Sequence, residues 1–148
     1  MKIRGYVNDD KPTVIKLLEM NIPEFFAASE VADFENYLIQ QLEDFFLVED
    51  KERIIGAGGI NYFPKINTAR LSWDFIHPDF KGQGIGKDLT EFRIELIKKN
   101  PEIKTIEVRT SQLAYQFYEK LGFKLIKTEP DFWAEGFDLY HMEMNNIN

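Results

Sequence analysis

The stretch "FIHPDFKGQGIGKDL" (residues 75–89), read with "AYQFYEKLGF" (114–123) downstream, decides how this chain folds. The first places Gly82, Gly84 and Gly86 at alternate positions between Lys81 and Lys87, directly ahead of an apolar-periodic run. Glycines before a helix can serve tight turns alone, or they can admit an anion to the unpaired N–H groups of the first helical turn. Two phosphate signatures fail here. A dinucleotide fingerprint needs G-x-G-x-x-G after a first strand, whereas this run is G-x-G-x-G after a fourth. A P-loop needs a longer gap between its glycines and a hydroxyl after its lysine; this chain has Asp88 after Lys87.

Working outward, "KIRGYV" (2–7) reads as a strand, and Asp10 with Pro12 starts a helix carrying Val14, Leu17, Leu18 and Ile22 until Pro23. Ser29 caps a second helix, "SEVADFENYLIQQLE" (29–43), with Val31, Phe34, Leu38 and Leu42 on one stripe. Between them, "PEFFAA" offers Phe25 and Phe26, either as core plugs or facing a substrate. "FFLVED" (45–50) and "RIIGAGGINYF" (53–63) read as a hairpin, followed by the strand "TARLSWDFIHP" (68–78). The helix after the glycines carries Ile85, Leu89, Phe92 and Leu96 and stops at Pro101. "KTIEVRT" (104–110) is a strand, and "SQLAYQFYEKLG" is a helix with Ser111 as cap, Leu113, Phe117 and Leu121 on one face and Gly122 as its stop. "FKLIKT" and "FDLYHMEM" are closing strands joined by "EPDFWAEG". The order β-α-α-β-β-β-α-β-α-β-β predicts one mixed α/β domain over residues 1–148.

Composition narrows the function. Hydrophobic content of 44% with 29% charged residues is that of a globular domain. No apolar run approaches the roughly eighteen residues of a membrane span, so no membrane partner is expected. The start lacks an apolar signal core, and the absence of cysteine excludes disulfides and thiolate metal sites. Both fit a cytoplasmic protein. A net charge of −7 makes nucleic acid a poor partner, yet a local nest of N–H groups binds phosphate whatever the global charge.

The two quoted motifs together resemble those of the GNAT superfamily of acyl-CoA-dependent N-acetyltransferases. The family's central signature appears as Lys81-Gly82-Gln83-Gly84-Ile85-Gly86 after Ile76-His77-Pro78, and its second as Ala114, Tyr118 and Gly122-Phe123. The resemblance implies a GNAT-like three-layer αβα fold, with a central, mostly antiparallel sheet of about seven strands and about four helices. It implies acetyl-CoA as acyl donor, an amine as acceptor and no metal, and a homodimer is compatible with it. The N–H groups from about Gly82 to Lys87 would close on the pyrophosphate, with Lys81 and Lys87 at the rim. The backbone of Phe75, Ile76 and His77 would pair with the pantetheine, and the Ile76 N–H would face the developing oxyanion. Two positions depart from the family pattern. Lys81 stands where Gln or Arg is usual, and Ser111 where Asn is common, so Ser111 is either a cofactor contact or an N-cap.

Acyl transfer from a thioester to an amine requires removal of the amine's proton, a donor for the oxyanion and a proton for the departing thiolate. The resemblance makes Tyr118 the acid. Asp74 is the best carboxylate for the base or for holding the amine; unbroken alternation puts it on one face with Ser72 and Ile76. His77, His141, Glu24 and Tyr62 are weaker candidates. On the acceptor side, "NIPEFFAASE" and "EPDFWAEGFD" bring Phe25, Phe26, Phe132 and Trp133 together with carboxylates, a mixture that suits a small organic cation. A protein N-terminus or lysine is the alternative acceptor, and a non-catalytic acyl-CoA-binding module the alternative function.

Overall fold

The computed structural model describes residues 1–146. Strands β1 (Lys2–Gly5), β2 (Asp44–Asp50), β3 (Arg53–Phe63), β4 (Thr68–Ile76), β5 (Thr105–Thr110), β6 (Lys124–Ala134) and β7 (Phe137–Asn145) form one sheet in the order β1-β2-β3-β4-β5-β7-β6. Neighbours are antiparallel except β4 and β5, which run parallel. Helices α1 (Lys11–Glu19) and α2 (Glu30–Gln40) bury Val14, Leu17, Leu18, Phe34 and Leu38 against Phe45, Leu47, Ala57 and Phe75 on one face. On the other, α3 (Ile85–Lys98) sets Ile94 and Ile97 against Ile60, Leu71 and Ile106, and α4 (Tyr115–Lys120) adds Tyr118 to the same cluster. This is the expected three-layer mixed α/β fold.

The local departures have physical causes. The buried stripe of α3 is not the one the spacing named: Ile85 and Leu89 are buried, but it continues through Arg93, Ile94 and Ile97, leaving Phe92 exposed with its edge on Phe46. Seven residues of a straight helix fall about 20° short of two full turns, so the seam drifts towards the later positions. The α4 helix is shorter than its pattern, because Ser111 to Ala114 form a turn in which Ser111 Oγ accepts from the Leu113 N–H at 3.2 Å. Leu113 and Phe117, expected in the core, are exposed, and Tyr118 takes the buried position. The segment "EPDFWAEG" is no simple connection, since β6 extends through it to Ala134. Pro130 is tolerated because β6 is an edge strand whose outer N–H groups pair with nothing in the sheet.

Three glycines in β3 let neighbouring elements close on the strand. A Cβ at Gly59 would lie 2.6 Å from the Tyr37 hydroxyl, 2.7 Å from Phe45 and 2.9 Å from the Asp44 carbonyl. The last contact is backbone and cannot swing aside. Gly59→Ala is therefore expected to destabilise the fold by about 1–3 kcal/mol through overpacking, read as a lowered midpoint in urea with an unchanged slope.

Candidate active site

The parallel pairing of β4 with β5 runs from Thr68↔Thr105 to Leu71↔Val108 and then stops, although the strands continue to Ile76 and Thr110. The gap opens a cavity of about 1050 Å³ that passes through the sheet. Gly82, Gly84 and Phe117 line its α3 side; Tyr37, Arg109 and Trp133 line its α2 side.

A β-bulge sits at the point of divergence. The register of β3 against β4 shifts between Ala57 and Gly59, and Trp73 adopts a left-handed φ of 54°, a conformation bulky residues rarely hold. The extra residue resets the alternation. Ser72 turns to the α2 face, its hydroxyl donating to Asn61 Oδ1 at 2.8 Å, whereas Asp74 turns to α3. The expectation that Asp74 shares a face with both Ser72 and Ile76 is thus corrected: Ile76 packs with Ile85 and Leu89 on the α3 side, but Ser72 does not.

Asp74 meets Arg93, which is fully buried on α3. The guanidinium donates to both carboxylate oxygens, at 2.6 and 2.9 Å, and also to the carbonyls of Gly59 and Leu89 and to Thr90 Oγ1. Burial works against its charge, but Asp74 outweighs burial, and the net shift of the Arg93 pKa is upward. Gly58 makes room for the pair, since a Cβ there would lie 2.8 Å from the guanidinium carbon. Tyr118 completes the cluster, its buried hydroxyl donating to Asp74 Oδ2 in a short hydrogen bond. Burial, and then the charge of Asp74, push the phenol pKa well above its ordinary value.

At the glycine ladder, Gly82 and Gly84 hold positive φ of 77° and 84°. The first bond of the following helix is Asp88 N–H to the Gly84 carbonyl, and the N–H groups of residues 82–87 have no partner among the described residues. A Cβ on Gly84 would enter open space, so a side chain there would occupy the approach to those donors. Six free N–H groups at the start of a 14-residue helix suit a diphosphate. Ile85 is buried beneath the loop, while Lys87 and Lys81 stand at its rim, Lys81 with its ammonium 3.3 Å from the Phe25 ring centre. The Gln83 side chain turns away, towards the Asp79 carbonyl.

The remaining predicted residues divide. Among the strand residues offered for pantetheine, the His77 N–H donates to the Ile55 carbonyl at 2.8 Å, which by antiparallel alternation also turns the Phe75 backbone towards β3. Ile76 faces the opening, and its carbonyl accepts from Asn21. The His77 ring packs on Phe80, outside the large cavity. Tyr62 is likewise not brought to the acceptor side: alternation along β3 sends Asn61 into the cavity and Tyr62 to the opposite face, bonded to Asp44. Phe25 and Phe26 both line the cavity, Phe26 stacked on Trp73. Trp133 lines it as well, its indole N–H donating to the Thr110 carbonyl at 3.1 Å, with Phe132 behind it against the indole edge. Ser111 lies in the wall, and Glu24 is exposed outside it.

Sequence reasoning missed four residues. Arg93 lies among the buried positions of α3, and its place within that apolar stripe was the signal available. Tyr37 projects from α2 beside the cavity with a buried, unpartnered hydroxyl, its pKa raised chiefly by burial. Arg70 and Arg109 point into the acceptor side from adjacent strands. A further cluster, Glu107, His141 and Glu143, places donor atoms within 4.8 Å of one another through strand pairing rather than sequence spacing; the His141 ring bonds Glu143, and Glu107 also holds Arg70.

Residues 14–146 match the family model for the acetyltransferase (GNAT) domain, and the chain belongs to that family of N-acetyltransferases. No curated protein matches the sequence significantly. Among solved structures, it is similar to a GNAT-family acetyltransferase from Desulfovibrio desulfuricans (TM-score 0.81, 18% identity, 99% of each chain covered). It is also similar to an aminoglycoside 6'-N-acetyltransferase complexed with coenzyme A (0.79, 17%, covering 100% of this chain and 98% of that one). A third is the ribosomal-protein-S18-alanine N-acetyltransferase from Escherichia coli (0.81, 16%, covering 99% and 94%). At these identities the likeness is one of fold. Acetyl-CoA is the acyl donor of the family, and the free N–H groups at the glycine ladder fit its diphosphate.

The buried pair carries a stability prediction. Arg93→Met strands the Asp74 charge and is expected to cost about 3 kcal/mol or more. The double variant Arg93→Met, Asp74→Leu should recover much of that loss in thermal denaturation while remaining inactive.

Proposed function

We propose that the protein transfers an acetyl group from acetyl-CoA to the primary amine of a small molecule, with Tyr118 as general acid. The observation that carries this reading is a buried, protonated phenol within the same cavity as the free N–H groups at the α3 start. When bound, acetyl-CoA supplies the thioester carbonyl carbon that the amine attacks. The N–H groups from Gly82 to Lys87 hold the diphosphate, and the Ile76 backbone orients the arm through the β4–β5 gap. In this reading the Ile76 N–H donates to the carbonyl oxygen as negative charge develops there.

Tyr118 Oη keeps its proton across the working pH range and releases it to the departing sulfur. Asp74, offered by the sequence as the base, has both oxygens engaged by Arg93 and one also by Tyr118. Its role in this reading is to aim the phenol, and the amine loses its proton to water in the open cavity. The sequence-based expectation of a cationic acceptor rested on carboxylates near Phe132 and Trp133. Asp131 and Asp138 instead accept backbone N–H groups within the β6–β7 hairpin, and neither lines the cavity.

Three measurements test this. Gly84→Glu is expected to abolish acetyl-CoA binding by calorimetry; a near-normal Kd overturns the cofactor assignment. Tyr118→Phe should lower kcat tenfold or more with little change in acetyl-CoA affinity, in a thiol-release assay to which the cysteine-free protein adds no background. Because the Tyr118 pKa is raised, its acid form persists into alkaline solution. The rate should rise with pH along the ionisation of the amine and show no descending limb below about pH 10. A falling limb near pH 8 would exclude Tyr118 as the acid.

A further inference from the structure

Arg109 is a half-buried cation on the acceptor side with no hydrogen bond or ion pair among the described residues. Its guanidinium carbon lies 5.0 Å from the Phe132 ring centre and 5.7 Å from that of Trp133, so these two of the aromatic side chains that suited an organic cation are already occupied by one belonging to the protein. Contact with these rings steadies the guanidinium and uses none of its five N–H donors. Arg70 lies nearby on the same face of the sheet. It stacks on Phe63 at 4.4 Å and spends Nε on Glu107 at 2.7 Å, leaving its terminal nitrogens without a partner among the described residues. Burial, and next the neighbouring Arg70, press the Arg109 pKa downward, the mark of a cation with too little opposing charge. Glu107 and Glu129 oppose that shift from nearby, but neither forms an ion pair with Arg109, and Glu107 is shared between Arg70 and His141.

Both arginines line the large cavity, on the face of the sheet opposite the Tyr118–Arg93 cluster. An anion there is therefore separate from the diphosphate held by the α3 N-terminus. Building on the acetyltransferase reading, we infer that the acceptor is an amine bearing a carboxylate, and that Arg109, assisted by Arg70, binds this carboxylate and turns the amine towards the β4–β5 gap. The planar fork of Arg109 matches a carboxylate in bidentate fashion, which a lysine at that position would not. Trp133, fixed through its bond to Thr110, gives the guanidinium an aromatic neighbour of fixed position.

The experiment compares amino-carboxylates with their carboxamides. β-Alanine, 4-aminobutyrate, L-aspartate and L-glutamate are each assayed against the matching amide, beside putrescine and spermidine, with acetyl-CoA as donor. Ligand-observed NMR follows binding of the same compounds to the CoA complex, independently of turnover. The best carboxylate is expected to exceed its amide at least tenfold in kcat/KM, the difference residing in KM. Arg109→Gln should bring that ratio to about one, and Arg109→Lys should restore part of it, with thermal melts confirming that both variants fold. Equal use of acid and amide, preference for the diamines, equal losses for acid and amide in Arg109→Gln, or no carboxylate bound or acetylated would each overturn the inference. Turnover of diamines alone would leave the acetyltransferase reading intact. Arg109-dependent carboxylate binding in a protein that fails to bind acetyl-CoA would overturn that reading and retain the anion site.

Discussion

The ion pair between Arg93 and Asp74 is the constraint around which the site is arranged. A fully buried guanidinium is tolerable only with every donor placed and an opposing charge in contact, and five hydrogen bonds meet that demand. Each bond fixes something else. The carbonyl of Gly59 ties β3 to α3; the absence of a side chain at Gly58 admits the pair; and the bulge at Trp73 aims the carboxylate. Without the bulge, Asp74 would face α2 and Arg93 would be a buried charge without a counter-ion.

The same bulge has a second consequence. It marks where β4 leaves β5, so the strain in the backbone at Trp73 and the passage through the sheet share one origin. A sheet normally separates its two faces. Here the gap joins a helix start with free N–H groups on the α3 side to a pair of arginines on the α2 side, with Tyr118 and Asp74 between them. This geometry lets two molecules approach one point from opposite faces of the sheet. It also explains why the acceptor-side aromatic groups serve the protein's own Arg109: β5 turns that residue to the same face as the β6–β7 hairpin, whose Trp133 is bonded back to β5.

Much was legible in the sequence because it was local. Helix starts, the glycine ladder and the placement of Tyr118 five residues ahead of the end of "AYQFYEKLGF" depend on neighbours along the chain, and the order of elements followed from period and length. Local reasoning failed where distant segments meet. Leu113 kept helical spacing yet lies outside a helix that begins only at Tyr115, and Phe117 within it lines the cavity while Tyr118 takes the buried position. Tyr62 shared its strand with Asn61, and only the facing of β3 within the sheet decided which of the two reached the cavity. Glu107, His141 and Glu143 form a cluster through strand register, which spacing along the chain does not encode.

The sequence by itself determined the family, the αβα class and the glycine segment that leaves its N–H groups free, since each is written in contiguous residues with specific backbone requirements. The tertiary structure alone decided the role of the charges. Arg93 became an internal ion-pair partner, Asp74 a carboxylate held by Arg93 and Tyr118, and Arg109 a cation facing the cavity with no ion pair among the described residues. The reason is that a charge takes its meaning from burial and from what lies within a few ångströms of it, and those neighbours come from α3, the β4 bulge and the β6–β7 hairpin, segments that meet only when the sheet has formed.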